Sequence, residues 1–297
     1  VIERGMRERD VFVSAAKELG AEVNVQNANG DVEEQISQIE YFIKKQVDVI
    51  VVVAGDCEAL SDVMIKAREA GIKTVSYDRL IMNAGCDLYI SFDNTEVGRL
   101  MAESMLENIP DGGDIFLIQG PLTDNNVSLI REGIDETLAG SNLNVVYEAN
   151  CPGWIAENAY TYTKEGLKLD RNVKGIICGN DDLASQAFRA LSEERLAGKV
   201  CVTGQDGDLA ACQRIVEETQ EMTAFKSVEQ EASLAAKCAV LLGLGEEIEE
   251  VQDTAYDGTY NVPYLELQPI AVTKENMDEV IIKGGFHAKE DVYLNVN

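Results

Sequence analysis

Seven residues, DVIVVVA at 48–54, constrain this chain more than any other stretch. A strand apolar at consecutive positions leaves neither face to water, so it must be covered on both sides, as parallel strands are by their crossover helices. Its neighbours have that helical character. Upstream, Val32–Lys45 carries an apolar stripe of Ile36, Ile39, Phe42 and Ile43, and Asp31 follows an Asn29-Gly30 turn where an N-cap belongs. Downstream, Cys57–Ala70 reads as a helix stopped by Gly71, and Lys73–Tyr77 is the next strand. Ahead of these, Arg9–Leu19 is an amphipathic helix ending at Gly20, and Glu22–Gln26 reads as a short strand. Such β-α-β-α-β alternation implies a parallel sheet with right-handed crossovers.

The alternation runs on through strands at 114–119, 144–148, 175–178, 199–204 and 221–225. The intervening helices are at 95–108, 125–138, 155–167, 182–194, 208–217 and 229–242. Residues 243–253 form a charged loop, 256–272 is extended, and 277–282 is a short helix. About ten strands are too many for one twisted sheet, which tends to split. Two helix-covered sheets of similar size are therefore expected, connected by several strand-like crossings, since no Pro/Gly/Ser linker divides the chain.

The 297 residues suffice for two ordinary cores, and no run approaches the ~20 apolar residues of a membrane span. Acidic residues outnumber basic ones 53 to 25, a formal charge of -28 that repels nucleic acid. The chain starts at Val1, so a signal or lipid-attachment segment is expected to have been removed from a longer product. Seven scattered cysteines form no C-x-x-C, and Cys178 and Cys201 sit in apolar runs as small core residues. The single histidine, His287, gives no basis for a zinc site, and no metal or cofactor is expected.

Polar groups recur just beyond the strands: Asp78-Arg79, Asp124-Asn125-Asn126, Asn180-Asp181, Gln205-Asp206 and Lys226. Ligands of open α/β sheets bind at the carboxyl ends of strands, and these side chains supply acceptors and rigid donors for a neutral polyol. Two other readings stand beside this one: Asp78-Arg79 as a surface ion pair, and Asp181 or Asp182 as a helix N-cap. Trp154, the only tryptophan, lies in a CPGW loop where it either stacks on a sugar ring or plugs the loop. Enzyme signatures are poor. No G-x-G-x-x-G follows a strand, no Walker loop or G-x-S-x-G occurs, and Asp78 with Asp206 makes a weak glycosidase pair.

Ten segments carry a resemblance over nearly the whole chain: 2–21, 25–40, TVSYDRLI at 74–81, YISFDNTEVG at 89–98, DNN at 124–126, GWIAENA at 153–159, GND at 179–181, TGQDGDLA at 203–210, MTAFK at 222–226 and IIKGGFH at 281–287. The chain resembles the periplasmic D-xylose-binding proteins within the pentose- and hexose-binding proteins of bacterial uptake systems. The resemblance implies an α/β fold of the type I periplasmic binding protein kind. Two doubly wound parallel-sheet lobes are joined by three hinge crossings near Asn94, Ser227 and Val262 and close over one sugar. The expected lobes are 1–94 with 227–263, and 95–226 with 264–297.

Carried over residue by residue, the ligand contacts are Arg4, Asp78, Arg79, Asn126, Trp154, Asn180, Asp206 and Lys226. All but Arg4 were already marked by their positions. Gly5 departs from the family, which carries tryptophan there, so one aromatic wall is missing. The family's first strand, just before Ile2, is also absent, and its slot would leave an edge for another strand. The expected function is non-covalent binding of D-xylose or a related pentose, without catalysis. Location is outside the cytoplasm, either periplasmic or lipid-anchored on the outer face of the cell membrane. The implied partner is a membrane permease or, alternatively, the extracytoplasmic domain of a sensor histidine kinase.

Overall fold

A computed structural model of the chain describes residues 3–296. In chain order the elements are α1 (Glu3–Glu18), α2 (Val32–Lys45), β1 (Val49–Val52), α3 (Ser61–Glu69), β2 (Lys73–Tyr77), β3 (Leu88–Phe92), α4 (Asn94–Asn108), β4 (Gly113–Gln119), α5 (Asn125–Leu138), β5 (Leu143–Asn150) and α6 (Glu157–Leu169). Then follow β6 (Gly175–Cys178), α7 (Asp181–Glu193), β7 (Cys201–Gln205), α8 (Leu209–Val216), β8 (Met222–Phe225), α9 (Val228–Leu244), β9 (Asp253–Tyr256), β10 (Asn261–Leu267), β11 (Ile270–Val272) and α10 (Lys289–Val292). The chain divides into two units. One comprises Val1–Asp93, Thr123–Asn126 and Ser227–Leu267; the other comprises Asn94–Leu122, Val127–Lys226 and Gln268–Asn297.

In the first unit the sheet order is β1-β2-β3-β10-β9, parallel except for β9 on β10. The apolar strand is covered on both sides, fully at Ile50 and Val52 and partly at Val49 and Val51. Ile50 and Val52 meet Ile39, with Ile36, Phe42 and Ile43 of α2 packed alongside. On the other face, Val75, Tyr77 and Ile90 pack against Ala235 and Cys238 of α9, with Phe12 of α1, Val49 and Val51 beside them. Asp31 caps α2, its Oδ1 accepting from the Glu34 amide at 3.0 Å.

The second unit has the order β11-β8-β7-β6-β4-β5, with β11 antiparallel and the rest parallel. Helices cover both faces. Leu183, Ala187 and Leu191 of α7 lie against Phe116, Ile118 and Ile176, while Met101, Met105, Ile130 and Ile134 of α4 and α5 lie against Ile115, Leu117 and Ile177. The strand order reverses at β4, between β5 and β6, a topological switch point of the kind that places ligand crevices.

Two expectations need correction. Among the described residues, 22–26 join no ladder and β1 pairs only with β2, and Val25 is exposed. The position just before Ile2, where the resemblance puts a first strand, lies outside the described residues. Helix α1 also starts at Glu3 rather than Arg9, because its first turn is held by an Arg4–Glu8 pair rather than by an apolar stripe. The seven cysteines form no disulfide, and all but Cys201, which is partly exposed, are buried. Burial pushes the thiols of Cys57 and Cys201 up to about 12 and those of Cys151 and Cys238 up to about 11.

Candidate functional site

The first unit gathers Arg4, Asp78, Arg79 and Asn126 into one connected cluster. Asp78 follows the last residue of β2 and sits at φ 66°, a left-handed conformation that a non-glycine residue adopts only when its surroundings hold it there. Its amide donates to Ile90 O at 2.8 Å, and its carbonyl accepts from Ser91 Oγ at 2.7 Å and Asn126 Nδ2 at 2.9 Å. Its carboxylate meets Arg4 Nη2 at 3.3 Å and Asn126 Nδ2 at 3.4 Å.

Arg4 is held by two further acids, with Nε on Glu8 at 2.9 Å and Nη2 on the fully buried Glu231 at 2.9 Å. Arg79 donates from Nη1 to Ala54 O at 2.9 Å, and its Nε pairs with Asp124 at 3.1 Å. Burial works against the Arg79 charge, but Asp124 and then Asp78 outweigh it, so its pKa moves up. The Asp78-Arg79 pair is therefore no surface feature: Asp78 is buried, Arg79 is partly buried, and both belong to one polar network.

The second unit presents Trp154, Asn180, Asp206 and Lys226 from separate loops at strand ends. Trp154 ends a 3-10 turn, Pro152–Trp154, in which Gly153 and Trp154 both have left-handed backbone. Its ring lies flat on the ends of β4 and β6. A Cβ at Gly120 would come within 2.3 Å of the indole, so that position requires glycine, and one at Gly179 would crowd the ring at 3.1 Å. The half-buried ring thus stands at the switch point, plugging the loop with one face.

Asn180 is the N-cap of α7, its Oδ1 accepting from Leu183 N at 2.8 Å. The cap is therefore neither Asp181 nor Asp182, and Asn180 has its Nδ2 to offer a ligand rather than its oxygen. Asp206 follows β7 at φ 104°, and Lys226 follows β8; both are buried.

Sequence reasoning did not find Glu8 and Glu231, which orient Arg4. Glu8 was legible as the fourth residue after Arg4 on a helix begun early enough. Glu231 was legible as an acid on the apolar stripe of α9. Asp124 and Gln205, marked there as polar strand ends, serve their neighbours instead: Asp124 binds Arg79 and the Asn126 amide, and Gln205 Nε2 donates to Gly179 O at 2.8 Å.

Residues 6–247 match the family described as the periplasmic binding protein domain. The chain belongs to the periplasmic binding protein family. It is 44% identical over 297 residues to the D-xylose-binding periplasmic protein of Haemophilus influenzae, covering 98% of this chain and 89% of that one. It is 40% identical to the protein of the same name from Escherichia coli, with the same coverage. Among solved structures it is similar to an ABC transporter solute-binding protein of Clostridium phytofermentans with bound β-D-glucose. That similarity has a TM-score of 0.90 at 26% identity, over 98% of this chain and 96% of that one. Two α/β lobes with parallel sheets are the family's fold, and its members are binding proteins rather than enzymes. No described helix is long and apolar enough to cross a membrane.

Proposed function

We propose that the chain binds D-xylose outside the cytoplasm and delivers it to a membrane permease for uptake. The carrying observation is the 44% and 40% identity, over 98% of the chain, to two proteins named for D-xylose binding. The chemistry of the two residue groups supports it. Asp78 and Asp206 accept hydrogen bonds from sugar hydroxyls; Arg4, Arg79, Lys226 and the Nδ2 of Asn180 donate; Asn126 shares; and the indole of Trp154 packs on the C–H face of the ring. Contacts from both lobes to one sugar favour the closed state, because only there are both sets engaged. The lobes we assign are 1–94 with 227–263 and 95–226 with 264–297, adjusted so that 123–126 and 264–267 go with the first lobe, as the two units divide. The chain is either free in the periplasm or lipid-anchored on the outer face of the cell membrane. No observation favours a sensor histidine kinase over the permease as partner.

Calorimetric titration with xylose, ribose, arabinose, glucose and galactose tests the ligand, with Trp154 emission read in parallel. Xylose should bind most tightly and change the emission saturably. Silence from every sugar in both measurements sinks the proposal. Scattering with and without saturating xylose tests closure through a fall in the radius of gyration. Pull-down from membranes tests the partner, where sugar-dependent recovery of a permease is expected and recovery of a kinase instead overturns that part.

A further inference from the structure

The residues after β7, Asp206-Gly207-Asp208, form a loop whose backbone is held by side chains from three distant parts of the second unit. The Gly207 amide donates to Thr223 Oγ1 at 3.1 Å, and that hydroxyl donates onward to Asp181 Oδ2 at 2.8 Å. The same Asp181 oxygen accepts from the Asp208 amide at 3.0 Å, while Oδ1 accepts from Gln220 Nε2 at 3.0 Å. The Gly207 carbonyl accepts a hydrogen bond from His287 Nε2 at 2.7 Å. His287 stacks edge-on to Phe286, and Phe286 packs edge-on to Phe225 at the end of β8. Asp181 is fully buried and His287 nearly so, and neither is among the proposed sugar contacts.

These bonds bracket one residue, Asp206, whose own amide donates to Ala224 O at 3.0 Å and whose φ of 104° is costly for an L side chain. A strained conformation persists only where the surroundings over-determine it, and here every amide from 206 to 208 has a named acceptor. We propose that Asp181 and His287 are positioning residues that hold Asp206 in its strained conformation, Asp181 through Thr223 and the Asp208 amide, His287 through the Gly207 carbonyl. The inference rests on the reading of Asp206 as a sugar contact and adds that the aim of its carboxylate is set from the C-terminal segment and from α7. The other charged groups that act on Asp181 are Asp206 itself and Arg214, whose Nε binds Gln220.

The test uses His287→Leu, His287→Gln and Thr223→Val in the full chain. Leucine removes the donor to Gly207, glutamine keeps an amide donor at the place of Nε2, and valine removes the shared hydroxyl at constant shape. Xylose affinity should fall about tenfold in His287→Leu and in Thr223→Val, the size of one lost buried hydrogen bond, and return to within about threefold in His287→Gln. Hydrogen exchange at the Gly207 and Asp208 amides should quicken in the first two variants and not in the third. Wild-type affinity together with wild-type exchange in His287→Leu and Thr223→Val overturns the inference. A general loss of stability that glutamine does not rescue, with no local change in exchange, overturns it too. If His287→Leu does not fold, Thr223→Val decides. If the wild type binds no sugar, the ligand reading fails, and the exchange measurements still decide whether these residues hold the loop.

Discussion

The two groups of proposed contacts are built on different physical plans. In the first unit, Arg4 and Asn126 both bind Asp78, Arg79 is braced by Asp124, and Glu8 and Glu231 complete the network. In the second unit, Asn180 is fixed by its helix cap, Trp154 by the two glycines beneath its ring, and Asp206 by a backbone held on both sides. A network of mutual charges couples its stability to its function, because removing one member strands another. Side chains presented singly on braced loops can be changed with local consequences.

Substitutions that separate stability from binding sharpen that contrast. Glu231→Ala should give the largest effect. It leaves Arg4, which is nine-tenths buried, short of a partner, and the loss should be about 3 kcal/mol in denaturant unfolding. A cost below about 1 kcal/mol would break the picture of a stability-bearing network. Asp206→Gly should behave the opposite way. Binding of xylose weakens by about 1.5–3 kcal/mol, the scale of hydrogen bonds to a charged group. Unfolding stability rises by about 1 kcal/mol as the φ of 104° is relieved. A parallel fall in both quantities would make the two units alike.

A pH series gives a third, smaller effect. Asp181 is partnered by a hydroxyl and two amides rather than by a cation. Burial first, and the neighbouring Asp206 next, push its carboxyl from the ordinary 3.8 up to about 7. The folded chain therefore keeps a proton that the unfolded chain releases. That contribution to stability is complete below pH ~4 and is lost as pH rises through ~7. Unfolding free energy should fall from pH 5 to pH 8 more steeply in the wild type than in Asp181→Asn, and parallel curves would show a carboxylate already ionised at pH 5. The smallest effect is expected at Gly5, inside α1, where an added Cβ meets open space. Gly5→Ala should stabilise the chain by about 0.5–1 kcal/mol in the same denaturant assay. A loss there would mean that α1 tolerates no side chain at that position.

The fold was largely legible because its strands are apolar on both faces and its helices striped. β2, β6, α2 and α5 fall where periodicity put them. Residues 22–26 misled because alternation marks a strand's faces but says nothing of whether a neighbour exists to pair with it. The start of α1 was obscured because an ion pair, not an apolar stripe, holds its first turn. At the candidate site, position relative to strand ends marked Asp78, Arg79, Asn126, Trp154, Asn180, Asp206 and Lys226, whereas Arg4 came only from resemblance. The pairings of the braces were invisible: the bonds from Glu231 to Arg4, Asp181 to Asp208 and His287 to Gly207 span 27 to 227 positions, separations that no local pattern encodes.

Seven cysteines outside any disulfide matter for a protein that works outside the cytoplasm, where dithiols tend toward disulfides. Thiolate is the reactive form, and burial keeps Cys57, Cys151, Cys201 and Cys238 protonated far above neutral pH. Their protection is thus a property of the folded state alone, with no crosslink to fall back on. During export the chain runs a race in which packing must enclose the sulfurs before oxidants reach them. Once folded, its redox lifetime is set by how often each core opens.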